Sequence, residues 1–151
     1  MRNPVITKDT GSYILVLCCA TSGSVRFGRR GILELKPGFY SYVGSAFGPG
    51  GLNARLARHF LPEKKLRWHI DYLRQHSEVE SAWVCTEEQN LEHAWASVFS
   101  SLKDVDPIQG FGCSDCKCHS HLFASIKAPL VHTVARRSGC SIRRWTPPLS
   151  K

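Results

Sequence analysis

No apolar run in this chain is long enough to cross a bilayer. The longest, residues 13–20, falls well short of the span a transmembrane helix needs, and no signal-peptide layout precedes it. That leaves a cytoplasmic protein with no membrane partner as the expectation. Acidic residues are also scarce. Twelve Asp and Glu face 20 Lys and Arg, giving a net charge of +8 and a pI near 9.3. Such an excess favours a polyanionic partner, with a generally basic soluble protein as the other reading. Closely spaced cysteine pairs are missing from most of the chain. Of seven cysteines, Cys18, Cys19, Cys85 and Cys140 stand outside any tight pattern, which reads as reduced thiols and not as a disulfide framework. The glycine-rich segment Gly48-Pro49-Gly50-Gly51 lacks a Gly-Lys-Ser/Thr ending, so a nucleotide-binding P-loop is excluded.

What is present fits one α+β domain. A chain of 151 residues holds a single core. Residues 13–19, YILVLCC, are continuous, apolar and rich in strand formers, as expected of a central strand covered on both faces. Short strands follow at 25–27 and 32–35, and a further strand at 39–44, with glycine and proline turns between them. The first 44 residues therefore predict a small, mostly antiparallel sheet. Helices are expected at 52–60, ended by Pro62, at 66–76 and at 91–102, with a strand at 79–86. Residues 1–10 form a polar lead-in. Residues 126–151, carrying Arg136, Arg137, Arg143 and Arg144 before Pro147-Pro148, read as a basic, loosely ordered tail.

The segment from Tyr42 to Phe60 concentrates the chemistry. A strand ends in Tyr42-Val43-Gly44, the glycine loop follows, and a helix presents Leu52, Leu56 and Phe60 on one face with Arg55, Arg58 and His59 around the other. Helix N-termini and arginine forks both favour anions, so a phosphate ligand fits this stretch.

Gly11-Ser12-Tyr13 and Tyr42-Val43-Gly44, followed by Arg55, His59 and Glu92, resemble the GIY-YIG nuclease superfamily. The runs YVGSAFGPGG, RLARHF, WHIDYL and GFGCSDCKCHSHLF are similar to its uncharacterised branch, whose members stand alone or are fused to endonuclease III-type DNA repair enzymes. The resemblance makes residues 11–125 the domain. It departs from the pattern in having Ser12 in the first tripeptide, a longer stretch between the two tyrosines and a longer glycine loop. What it implies is a metal-dependent endonuclease that hydrolyses DNA phosphodiester bonds, with a role in DNA repair and repair enzymes among its partners. Tyr13 and Tyr42 would be the general-base candidates and Arg55 would hold the phosphate. Glu92, with Glu88 as the alternative, would hold Mg²⁺ or Mn²⁺, and His59 shares the helical face of Arg55. Gly44, Arg58, Lys64, Lys65, Arg67 and His69 are the expected substrate contacts, and a solvated loop is the other reading of the lysine and arginine run.

The cluster Cys113, Cys116, Cys118, His119 and His121 offers thiolate and imidazole donors suited to zinc, with Cys116, Cys118 and His121 as ligands to test. The crowded spacing equally suits a structural or site-lining segment. Two other functions compete with the nuclease: a nucleic-acid-binding module that keeps the fold without turnover, and a zinc-stabilised structural domain.

Overall fold

A computed structural model describes residues 9–29, 31–61, 64–112 and 120–147. The chain is α+β. A six-stranded antiparallel sheet runs in the order β6-β7-β4-β1-β5-β8, and a separate two-stranded hairpin joins β2 to β3. The strands are β1 (Gly11–Cys19), β2 (Gly23–Phe27), β3 (Gly31–Leu35), β4 (Gly38–Ala46), β5 (Glu78–Cys85), β6 (Asp106–Pro107), β7 (Leu122–Ser125) and β8 (Arg143–Trp145). Among the described residues four helices flank them: α1 (Gly51–Phe60), α2 (His69–Arg74), α3 (Glu92–Ser101) and α4 (Val131–Arg137). No helix among the described residues is long and apolar enough to cross a membrane.

The apolar run of β1 explains its central place. Tyr13 through Leu17 are all essentially without solvent contact, because β4 pairs along one edge, β5 along the other, and helices cover both faces. Burying each such side chain contributes about 1.5–3 kcal/mol, so a strand hidden on both faces needs no polar alternation. The odd-numbered side chains of β1 join Leu52 and Leu56 of α1 and Ile70 and Leu73 of α2 in one core layer. Ile14 and Val16 face the other layer, with Leu91 at the N-cap of α3, Trp95 and Phe99 within it, and Val134 of α4. The hairpin lays Val25, Phe27, Leu33 and Leu35 against the first layer and turns Arg26, Ile32 and Glu34 outward.

The C-terminal segment departs from the loosely ordered tail that its composition predicts. Residues 131–137 form α4, and β8 pairs with β5 as an edge strand. Two apolar anchors account for this. Val131 and Val134 enter the second core layer, and Trp145 packs on Phe60 while its indole N–H donates to Asn53 Oδ1 at 2.7 Å. The arginines between these anchors point away from the core, which is why the composition reads as polar and basic.

Candidate active site

α1 follows directly from the glycine loop. Gly50, at its N-cap, has a φ of 85°, a left-handed conformation that side chains disfavour, and the helix starts at Gly51. Its C-terminal carbonyls are held by two cations. The Lys64 ammonium donates to the carbonyls of Arg58, His59 and Leu61, and the buried Arg74 guanidinium donates to those of His59 and Phe60. Cations at a helix C-terminus satisfy orphan acceptors and the dipole together. Burial chiefly, with neighbouring arginines, brings the Lys64 pKa down to about 8. Lys64, expected among the substrate contacts, is thus spent on the helix end.

Arg58 is likewise committed. Its guanidinium grips both oxygens of Asp71 at 2.8 Å, and the same carboxylate accepts the backbone N–H groups of Arg67 and Trp68 at the start of α2. Burial opposes the Asp71 charge, but these hydrogen bonds outweigh it and hold its pKa below the ordinary value. His69 accepts the Gly112 N–H on Nδ1 at 2.8 Å and packs against Phe27 and Phe111. Lys65 and Arg67 remain exposed.

The tyrosines of the two tripeptides lie close together. Their ring centroids are 6.3 Å apart on the α1 side of the sheet. Gly44 lies opposite Tyr13 in the β1–β4 register, and a Cβ there would sit 2.5 Å from the Tyr13 hydroxyl. Its part is therefore to let the Tyr13 ring lie across β4. Tyr13 is buried and shares a 2.7 Å hydrogen bond with His59 Nε2, whose direction the imidazole tautomer sets. Burial, then the charge of Lys64, takes the His59 pKa down to about 3, so the ring is neutral. Burial also raises the Tyr13 pKa; the Arg55 charge and a hydrogen bond from Arg55 pull it back without overcoming burial. Tyr42, half-buried, is raised as well, by burial first and then by the neighbouring Tyr13 and Glu92. Both phenols are protonated at neutral pH unless a cation is brought close.

Glu92 reaches the same place from the opposite face of the sheet. The ladder between β4 and β7 stops at Tyr42–Leu122, and just beyond it Ser45 links the two faces. The Ser45 carbonyl accepts from Arg55 at 3.1 Å, and its hydroxyl donates to Glu92 Oε1 at 2.7 Å. His121 Nδ1 binds the other oxygen, Oε2, at 2.7 Å. The His121 backbone is itself pinned, receiving the Val43 N–H and donating to the Phe111 carbonyl. Burial works against the Glu92 charge, but the bonds from His121 and Ser45 prevail and keep its pKa below the usual carboxylate value. Glu88, the alternative, is exposed in the preceding loop.

Tyr13, Tyr42, Arg55, His59 and Glu92 thus come together, while Arg58, Lys64 and His69 serve structure. Cys116 and Cys118 lie outside the described residues. Among the described residues no group of three or more His, Cys, Asp or Glu side chains is arranged to hold a metal ion, and His121 is engaged with Glu92. Sequence reasoning missed Ser45, Asp71 and Trp68, and missed His121 as the partner of Glu92. The period-two pattern of β4 puts Ser45 on the face opposite Tyr42, and nothing local pairs it with a helix 47 positions later.

A cavity of about 230 Å³ opens beside Arg55, between the glycine loop and Trp68. A larger cleft, about 510 Å³, runs past His132, Arg136 and Cys140 and is lined by none of the residues gathered above. The family model described as "Domain of unknown function DUF123" matches residues 12–140, a range that includes all of these site residues. No curated protein and no solved structure matches the chain.

Proposed function

The chain belongs to this family, Domain of unknown function DUF123, and from the geometry of its site we propose that it hydrolyses DNA phosphodiester bonds with the help of a divalent metal. One observation carries the reading. Two tyrosines, a neutral histidine, an arginine and an ionised carboxylate, drawn from β1, β4, α1 and α3, converge at one end of β4. A phosphodiester resists hydroxide because it is already anionic, and this set answers that difficulty with a fixed cation and proton acceptors.

Glu92 fits an oxygen-seeking cation such as Mg²⁺ or Mn²⁺. Its carboxylate is kept ionised, each oxygen accepts one bond and retains further lone-pair capacity, and such cations need few protein ligands. When bound, that ion supplies charge neutralisation at the phosphate and acidifies a water. The chain's own groups do the remainder. Arg55, steadied by the Ser45 carbonyl, offers guanidinium N–H groups to a phosphate oxygen and stabilises charge that grows in the transition state. Tyr42, the more accessible phenol, orients the attacking water and takes its proton when local positive charge offsets burial. Tyr13 and His59 form the buried base of the site and fix the ring positions around it.

The test is incubation of the purified protein with branched, nicked and single-stranded DNA in Mg²⁺ or Mn²⁺. Cleavage should appear and be lost in Arg55→Ala and in Glu92→Gln. Cleavage that survives both substitutions sinks the proposal. The raised pKa of both phenols favours a second reading, a nucleic-acid-binding module without turnover. It predicts salt-sensitive binding and no cleavage with either metal.

A further inference from the structure

The cavity beside Arg55 has features that hydrolysis at Glu92 does not use. One wall is the loop with Gly48 and Pro49; the other carries Arg55, Arg58, Arg67 and Trp68. Among the described residues, no acidic side chain lines it. The guanidinium carbons of Arg55 and Arg58 each lie 4.3 Å from the centroid of the Trp68 ring. Stacking of this kind holds a guanidinium in place while leaving its N–H edge available.

The charges in the cavity are not equivalent. Asp71 matches Arg58 with a two-point ion pair at 2.8 Å. The same carboxylate fixes the backbone of Arg67 and Trp68, so it builds the wall without neutralising the other two arginines. Arg55 donates to neutral groups, the Ser45 carbonyl and the Tyr13 hydroxyl. The Arg67 side chain has no ion-pair partner among the described residues. Two positive charges therefore face one small space. The first N–H groups of α1 do not add to this: those of Gly51 and Leu52 already donate to the carbonyls of Gly48 and Asp9. Recognition falls to the guanidinium groups. Because Trp68 already carries two of them, the cavity selects charge and not a stacked base.

We propose that this cavity is a second phosphate subsite, which holds a phosphate of the nucleic acid next to the one gripped at Glu92. Arg67 is its distinctive ligand, with Arg55 shared between the two positions and the Arg58–Trp68 pair as its frame. The identity of the ligand rests on the nuclease reading above; the anion preference rests on the arginines alone. The two positions are linked through Ser45, which touches Arg55 by its carbonyl and Glu92 by its hydroxyl. An internucleotide phosphate and a terminal phosphate present the same chemistry to this cavity.

The experiment measures binding of a fluorescent single-stranded oligonucleotide, with and without a 5′-phosphate, over a salt series and without divalent cation. Arg67→Gln should weaken binding by about five- to tenfold and lower the salt slope by about one. Lys127→Gln removes the same charge from the exposed loop after β7 and should do neither. Ala54→Glu puts a carboxylate into the cavity from an exposed helical position and should cost more than Arg67→Gln, with an unchanged melting temperature confirming the fold. A 5′-phosphate that tightens binding only when Arg67 is present marks a terminal phosphate as the occupant; equal affinities mark an internucleotide one. Wild-type affinity in Arg67→Gln, or an equal loss in Lys127→Gln, overturns the subsite. Arg67-dependent binding without cleavage in Mg²⁺ would keep the subsite and remove the nuclease reading. Cleavage with Arg67-independent binding would do the reverse.

Discussion

His59 is a neutral imidazole held in a place where charging it is costly. Its pKa near 3, set by burial first and by Lys64 next, lies below the ordinary 6.5. Acidification therefore protonates the unfolded chain before the folded one, and the stability His59 contributes is present above 6.5 and lost as pH falls towards 3. That loss is roughly 2 kcal/mol between pH 7 and pH 5. Melting temperatures of wild type and His59→Gln at those two pH values check it: the variant should start lower and lose less on acidification. Equal slopes would mean that His59 does not govern this range. Glu92 and Asp71 act lower, below their ordinary values of 4.5 and 3.8, because their folded pKa values are depressed and their contribution disappears as they protonate. At this scale Tyr13, Arg55 and His59 were singled out by the resemblance that the tripeptides and the RLARHF run carry, and the structure places them side by side. The ion pair of Arg58 was not legible because its partner, Asp71, sits in a different helix. A basic residue and its buried counter-ion, 13 positions apart, leave no local signature.

Elements were legible where hydrophobic burial sets their pattern. The apolar run of β1 and the Leu52–Leu56 pair of α1 both lie in the core as expected. α2 is shorter than its periodic stretch, spanning His69–Arg74, because Asp71 caps it at Trp68. β8 escaped notice for a different reason. Three residues cannot display an alternation, and two of them are arginines. Its one buried residue, Trp145, carries the attachment to β5, Phe60 and Asn53. Trp145→Ala should destabilise the protein by about 3–5 kcal/mol, read from urea unfolding. Hydrogen exchange should show faster exchange at Ala82 and Val84, which pair with Trp145 and Arg143 of β8, than at the β1 residues. A cost below about 1 kcal/mol would show that β8 adds little to the sheet.

For the molecule as a whole, a net charge of +8 bears on association more than on fold. Affinity for an oligonucleotide should fall by roughly tenfold or more between 50 and 200 mM salt, as expected for a few neutralised phosphates. Anisotropy titrations at the two concentrations check this, and a flat response would remove nucleic acid as the partner. The α+β class was readable in advance, whereas the meeting of both sheet faces at Ser45 was not, since it depends on where the β4–β7 ladder stops. The strand order has a further consequence for a chain made from its N-terminus. Read outward from the middle, β6-β7-β4-β1-β5-β8 runs from early to late: β1 first, β4 and β5 beside it, then β7 and β8, with β6 outside β7. During synthesis each wing can therefore grow on strands that have already emerged, and only β6 must wait for a later neighbour. The tyrosines, Arg55 and Glu92 precede β7 in that order, so the last piece of the site to leave the ribosome is His121, the clasp on Glu92.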